Sequence, residues 1–131
     1  MNPNSFTIIQ DTFEASHQGR MHFGAVIEQL GRARVESYHV DYRCGRATYY
    51  LADDTTLDLR FDTAREPIAQ AFDADALRAA IAGAQQGRVM YPEFMRLSQR
   101  AGCIGYTVWL AGSHVAYAGR RGQTHVEAFA D

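Results

Sequence analysis

The tripeptide QGR stands at Gln18–Arg20 and returns 68 positions later at Gln86–Arg88. Residues 18–61 laid over 86–129 at that offset give ten identities in 44 ungapped positions. After QGR they are Arg32/Arg100, Ala33/Ala101, Tyr38/Tyr106, Val40/Val108, Tyr49/Tyr117, Thr56/Thr124 and Phe61/Phe129. Ordinary composition gives about two or three such matches by chance. The excess points to an internal duplication, and the residue patterns around the identities agree with it.

Each half opens with an amphipathic stretch at helical spacing, Phe6, Ile9 and Phe13 in the first and Leu77, Ala80, Ile81 and Ala84 in the second. QGR follows each stretch. Glycine just past a helix is a common stop because it adopts left-handed backbone angles without steric cost. A second helical pattern comes next, carried by Phe23, Val26, Ile27 and Leu30, or by Phe94, Leu97 and Ala101. Pro92 suits the first turn of the latter helix, where its missing N–H is no loss.

The period then changes to two. Tyr38, Val40 and Tyr42 alternate with Ser37, His39 and Asp41, and Ile104, Tyr106, Val108 and Leu110 with Gly105, Thr107 and Trp109. Cys44-Gly45 and Gly112-Ser113 fall where two-residue hairpin loops belong, which sets Val40 opposite Tyr49 and Val108 opposite Tyr117. A third strand follows in each half, Thr55–Phe61 with Leu57, Leu59 and Phe61 on one side, and Thr124–Phe129. For the last strand a strict repeat sends His125 and Glu127 inward. A two-residue Arg121-Gly122 turn sends Val126 and Ala128 inward instead, and this is the expected register because it buries no charge.

The expected fold is therefore α+β: two pseudo-symmetric helix-helix-strand-strand-strand repeats forming one antiparallel sheet with helices on one face. Repeat one covers about 5–61, a connection containing Pro67 covers 62–73, and repeat two covers about 74–129. A length of 131 residues suits a single domain spanning 1–131. A formal charge of -2 with scattered basic residues argues against a nucleic-acid partner. Cys44 and Cys103 have no zinc-ligand spacing, and the five histidines form no metal motif, so neither metal nor cofactor is expected. No membrane partner is expected either, since no stretch approaches the about 18 apolar residues of a membrane helix. With no leader pattern at the N-terminus, a cytoplasmic location is expected.

The runs QQGRVMYPEF (85–94), LGRARVESYHV (30–40) and ATYYL (47–51) give the chain a further likeness. In this ordered set of blocks it resembles the YbcV-like proteins, small bacterial and prophage-borne proteins, some labelled phage envelope protein. The resemblance implies a domain of unknown function, carries over no catalytic residue, and suggests a structural phage component as one reading.

If helices cover the Tyr38 face, the opposite face of the first half is densely polar: Ser37, His39, Asp41, Arg46, Thr48, Tyr50, Thr56, Asp58 and Arg60. His39 opposite Tyr50, with Asp41 beside them, are the candidates for acid or base chemistry or a small-molecule site, because histidine titrates near neutrality and a carboxylate can orient it. The plain alternative is the solvated side of a one-sided sheet. The second half's outer face is smaller and more apolar: Gly105, Thr107, Trp109, His114, Ala116 and Ala118. Trp109, Thr107, His114 and Ala116 form a candidate surface for a protein partner or self-association, as tryptophan is favoured at interface hot spots. Cover of Trp109 by the 62–73 connection is the competing expectation. With no assembled catalytic motif, a non-enzymatic interaction module is the leading expectation and a ligand binder or enzyme at the first hairpin the alternative. The aromatic strand residues Tyr38, Tyr42, Tyr49 and Tyr106 are expected in the core.

Overall fold

The computed structural model describes residues 1–62 and 66–129. In chain order it contains α1 (Pro3–His17), α2 (Phe23–Arg32), β1 (Val35–Asp41), β2 (Arg46–Leu51), β3 (Thr56–Arg60), α3 (Ala74–Gln85), α4 (Tyr91–Arg100), β4 (Cys103–Trp109), β5 (His114–Gly119) and β6 (Thr124–Ala128). From α2 to β3, every element recurs with the same bounds 68 residues later. Residues 63–65 of the expected connection lie outside the described residues.

QGR does the same structural work twice. Gln18 caps α1, Gly19 takes φ 73°, and the Arg20 and Gly19 N–H groups donate to the Ala15 and Ser16 carbonyls. This is the paired closure that satisfies the last free carbonyls of a helix. Gln86, Gly87 and Arg88 repeat it on Gly83 and Ala84 at the end of α3. The arginine then donates from Nε to the glutamine Oε1, at 2.8 Å for Arg20 and 2.9 Å for Arg88. All three letters of the motif are thus used within one turn. The positive-φ positions also occur in pairs at the same offset: Gly19/Gly87, Arg34/Gly102, Gly45/Ser113 and Asp54/Gly122.

The six strands form one antiparallel sheet in the order β3-β2-β1-β4-β5-β6. The two halves meet at β1 and β4, where His39 lies directly opposite its repeat mate Thr107. A pseudo-twofold axis therefore passes between these two residues. A matching irregularity follows Val35 in β1 and Cys103 in β4.

The hairpin register differs from the expected one by two residues. Tyr38 faces Tyr49 and Val40 faces Ala47, while Tyr106 faces Tyr117 and Val108 faces Val115. The connection is four residues, 42–45, with Asp41 paired to Arg46. Three local interactions hold it: Gly45 N–H donates to the Asp41 carbonyl, the Asp41 carboxylate accepts from the Arg43 and Cys44 N–H groups, and Tyr42 is buried with its hydroxyl 2.8 Å from Ser98 Oγ. Burying Tyr42 removes it from the strand and lengthens the turn. Because the shift is an even number, every side chain keeps its face.

The last strand follows the strict repeat and overturns the expected Arg121-Gly122 register. Tyr117 pairs with His125 and Val115 with Glu127, so these two side chains lie on the helix side and Val126 is 59% exposed. The cost of placing charge there is offset because β6 is an edge strand and His125 Nε2 lies 2.8 Å from Glu127 Oε2.

The core lies between the helices and one sheet face. Ile9, Leu30, Leu77 and Phe94 from the helices meet Tyr38, Val40, Tyr106 and Val108 from the seam strands. Phe6, expected on the inner face of α1, is 41% exposed. No helix among the described residues is long and apolar enough to cross a membrane.

The seam tolerates little. A Cβ on Gly105 would run into the Val40 carbonyl oxygen on the neighbouring strand, which is backbone and cannot swing aside. Gly105→Ala is expected to lower unfolding stability by about 3 kcal/mol, measured by urea denaturation. Gly31→Ala, at a helical site with open space around it, is expected to raise stability by about 0.5 kcal/mol.

Candidate functional site

Two regions of the sheet are open enough to act on other molecules: its outer face and a cavity beneath the helices. On the outer face the strands align side chains in rows. One row runs Thr56, Tyr50, Ser37, Trp109, His114, Ala128; the next Asp58, Thr48, His39, Thr107, Ala116, Val126; the third Arg60, Arg46, Asp41, Gly105, Ala118, Thr124.

The expected surface residues Trp109, Thr107, His114 and Ala116 are brought together on adjoining rows of β4 and β5. Trp109 is 44% exposed and stacks on His114 with ring centroids 6.5 Å apart. His114 Nδ1 donates to the Gly112 carbonyl at 3.1 Å, which fixes the ring beside the indole. The described part of the connection packs away from Trp109, with Ala69 and Asp73 donating from backbone N–H to the Gln99 and Ala101 carbonyls.

His39, Asp41 and Tyr50 are not brought together as the two-residue turn required. His39 pairs with Thr48 and Thr107, and its Nδ1 lies 2.8 Å from Thr107 Oγ1. Asp41 turns to its own hairpin. Desolvation there works against ionisation, but the backbone donors of Cys44 and Arg43 outweigh it and hold the carboxyl below its usual range. Tyr50, also 44% exposed, pairs with Ser37, whose other neighbour is Trp109. Tyr50 therefore belongs to the aromatic row. The outer face is divided end from end: an aromatic end of Tyr50, Trp109 and His114, and a charged end of Arg60, Arg46 and Asp41. Across the pseudo-twofold axis, Trp109 occupies the position of Asp41 and His114 that of Arg46.

The second region has no local sequence signal, because alternation marks its tyrosines only as core residues. Between the helices and the inner sheet face lies a cavity of about 80 Å³. Its walls come largely as repeat-related pairs, including Tyr38/Tyr106, Tyr49/Tyr117, Val40/Val108 and His17/Gln85. Exposed His22 and Gln85 mark where it reaches the surface. The Tyr38 and Tyr49 rings stack at 5.1 Å, and their mates Tyr106 and Tyr117 pack at 5.6 Å. The Tyr106 hydroxyl donates to the Tyr91 hydroxyl at 2.7 Å. Burial raises the Tyr38, Tyr49, Tyr106 and Tyr117 phenols above their ordinary range, so they are neutral O–H groups at physiological pH.

His17 borders this cavity among Phe13, Phe61 and Tyr91, with ring centroids 4.1 to 4.9 Å away. Desolvation pushes its pKa down to about 4. Burial likewise pushes the Cys103 thiol up to about 11, although it has hydrogen-bonding contact with Gly105, so it is a protonated core group. Cys44 is exposed and free at the first hairpin. Among the described residues no group of three or more His, Cys, Asp or Glu side chains is placed to hold a metal ion.

The chain matches a family described as proteins of unknown function, DUF1398, over residues 10–127. It belongs to that family. No curated protein matches it.

The lowered pKa of His17 sets a pH dependence. The unfolded state binds a proton near pH 6.5 and the folded state near 4, so between these values the unfolded chain holds more protons and stability falls as pH falls. The loss from this residue is about 3 kcal/mol across the window. His17→Phe keeps a ring in the aromatic cluster and removes the titration. Its urea midpoint is expected to vary much less than wild type between pH 6.5 and 4.

Proposed function

We propose that this protein is a non-enzymatic interaction module that pairs with a second copy of itself through the outer sheet face. The observation that carries the reading is the row Tyr50–Ser37–Trp109–His114, where two large aromatics stand 44% exposed on an uncovered sheet. The serine between them is reduced to 8% exposure, so it adds little polar surface between the two rings. Beside it, Gly105, Ala116 and Ala118 are small enough to let another sheet approach to the about 10 Å spacing of packed sheets.

Charge supports a second copy as the partner. The paired outer rows carry Arg46, Arg60, Asp41 and Asp58, two of each sign, so these rows add no net charge to such a contact. The engagement of His39 with Thr107 and of Asp41 with its own turn supports a non-enzymatic reading, since neither is directed at a shared reacting atom. The resemblance to YbcV-like proteins supports a bacterial or prophage setting.

Sedimentation velocity over a concentration series tests the proposal. Wild type is expected to form a dimer. Trp109→Asp is expected to weaken it by about 30-fold or more, the effect of losing one interface hot spot, with unchanged far-ultraviolet circular dichroism. A wild type that stays monomeric to about 1 mM, or a dimer untouched by the substitution, would overturn it.

A further inference from the structure

We infer that the cavity beneath the helices is a binding site for a small uncharged aromatic alcohol. This inference is independent of the association through the outer face, because the two regions lie on opposite sides of the sheet.

The evidence begins with a difference between the repeats. In the second repeat, Tyr106 donates its hydroxyl to Tyr91. In the first repeat the position equivalent to Tyr91 is Phe23, which lines the cavity with Tyr38 but has no hydroxyl to accept from it. Among the described residues, no protein hydrogen bond is made by the hydroxyl of Tyr38, Tyr49 or Tyr117, although each residue is more than nine-tenths buried. None of these oxygens is sealed in as an orphan, so they open to the cavity they line. Three hydroxyls without a protein partner around one space leave donor and acceptor capacity for an occupant with a hydroxyl of its own.

The walls define the rest of the ligand. Stacked and tilted tyrosine rings favour an aromatic body. No arginine or lysine lines the cavity, and Glu127 does, so its walls offer no permanent positive charge to a carboxylate or phosphate. The volume of about 80 Å³ equals the liquid share of about three water molecules. It therefore encloses the hydroxyl-bearing end of a single ring while the mouth at His22 and Gln85 takes the remainder.

The test is titration of the full-length protein with phenol, followed by the tyrosine ring signals in NMR spectra, with benzoate as the charged control. Phenol is expected to move the Tyr38, Tyr49 and Tyr117 signals with a Kd of about 1 mM, and benzoate to bind at least about tenfold more weakly. Phe23→Tyr supplies the missing partner for Tyr38 and is expected to raise the melting temperature while weakening phenol about three- to tenfold. Ala84→Leu narrows the cavity from α3 and is expected to weaken phenol by more than about tenfold. Shifts confined to the Trp109 row, benzoate binding as well as phenol, or unchanged phenol affinity in both folded variants would each overturn the inference.

Discussion

The antiparallel pairing of β1 with β4 is the constraint on which the rest of the structure depends. Each repeat alone is a three-stranded sheet with two helices, and β1 or β4 would be an edge with unpaired N–H and C=O groups. Joining them turns both edges into the centre of one sheet and brings Tyr38, Val40, Tyr106 and Val108 under a shared layer of four helices. The close approach requires Gly105 opposite Asp41, because side-chain volume there would meet the Val40 backbone. The cavity follows from the same join, since its repeat-related walls surround the seam.

Much of this architecture was legible in the sequence because it rests on local rules. QGR marked two helix ends, and its glycine, capping glutamine and arginine all act within a single turn. Outside the last strand, alternation indicated which of the paired residues face the helices. The register was less legible, since a four-residue turn with a buried Tyr42 and a two-residue turn place the same residues on the same faces. The last strand misled for a different reason: avoiding buried charge favoured Val126 inward, but at the edge position both side chains keep some exposure and His125 and Glu127 hydrogen-bond to each other, which lowers that cost.

The candidate sites show the same limit more sharply. Trp109, Thr107, His114 and Ala116 lie together because neighbouring strands align them, and local alternation sufficed to find them. Tyr50 was grouped with His39 and Asp41 because the hairpin was read two residues out of place; the observed pairing sets it across Ser37 from Trp109. Tertiary pairing alone reveals the cavity, yet one trace was present in the sequence. At the offset of 68, Phe23 stands against Tyr91 while Tyr38 and Tyr106 are identical, so one tyrosine has lost its hydroxyl partner. Identity between repeats thus points to the frame, and departures from it point to the places open to function. Trp109 in place of a turn-capping aspartate is the corresponding departure on the outer face.

Because the repeats share a seam and a core, they should open together, and native-state hydrogen exchange measures this most directly. Amides of β1 and β4 are predicted to exchange only through global unfolding, at one common free energy and with the same denaturant dependence. Exchange of one repeat's strands at a distinctly lower free energy than the other's would contradict the account, because the halves would then be folding as separate units.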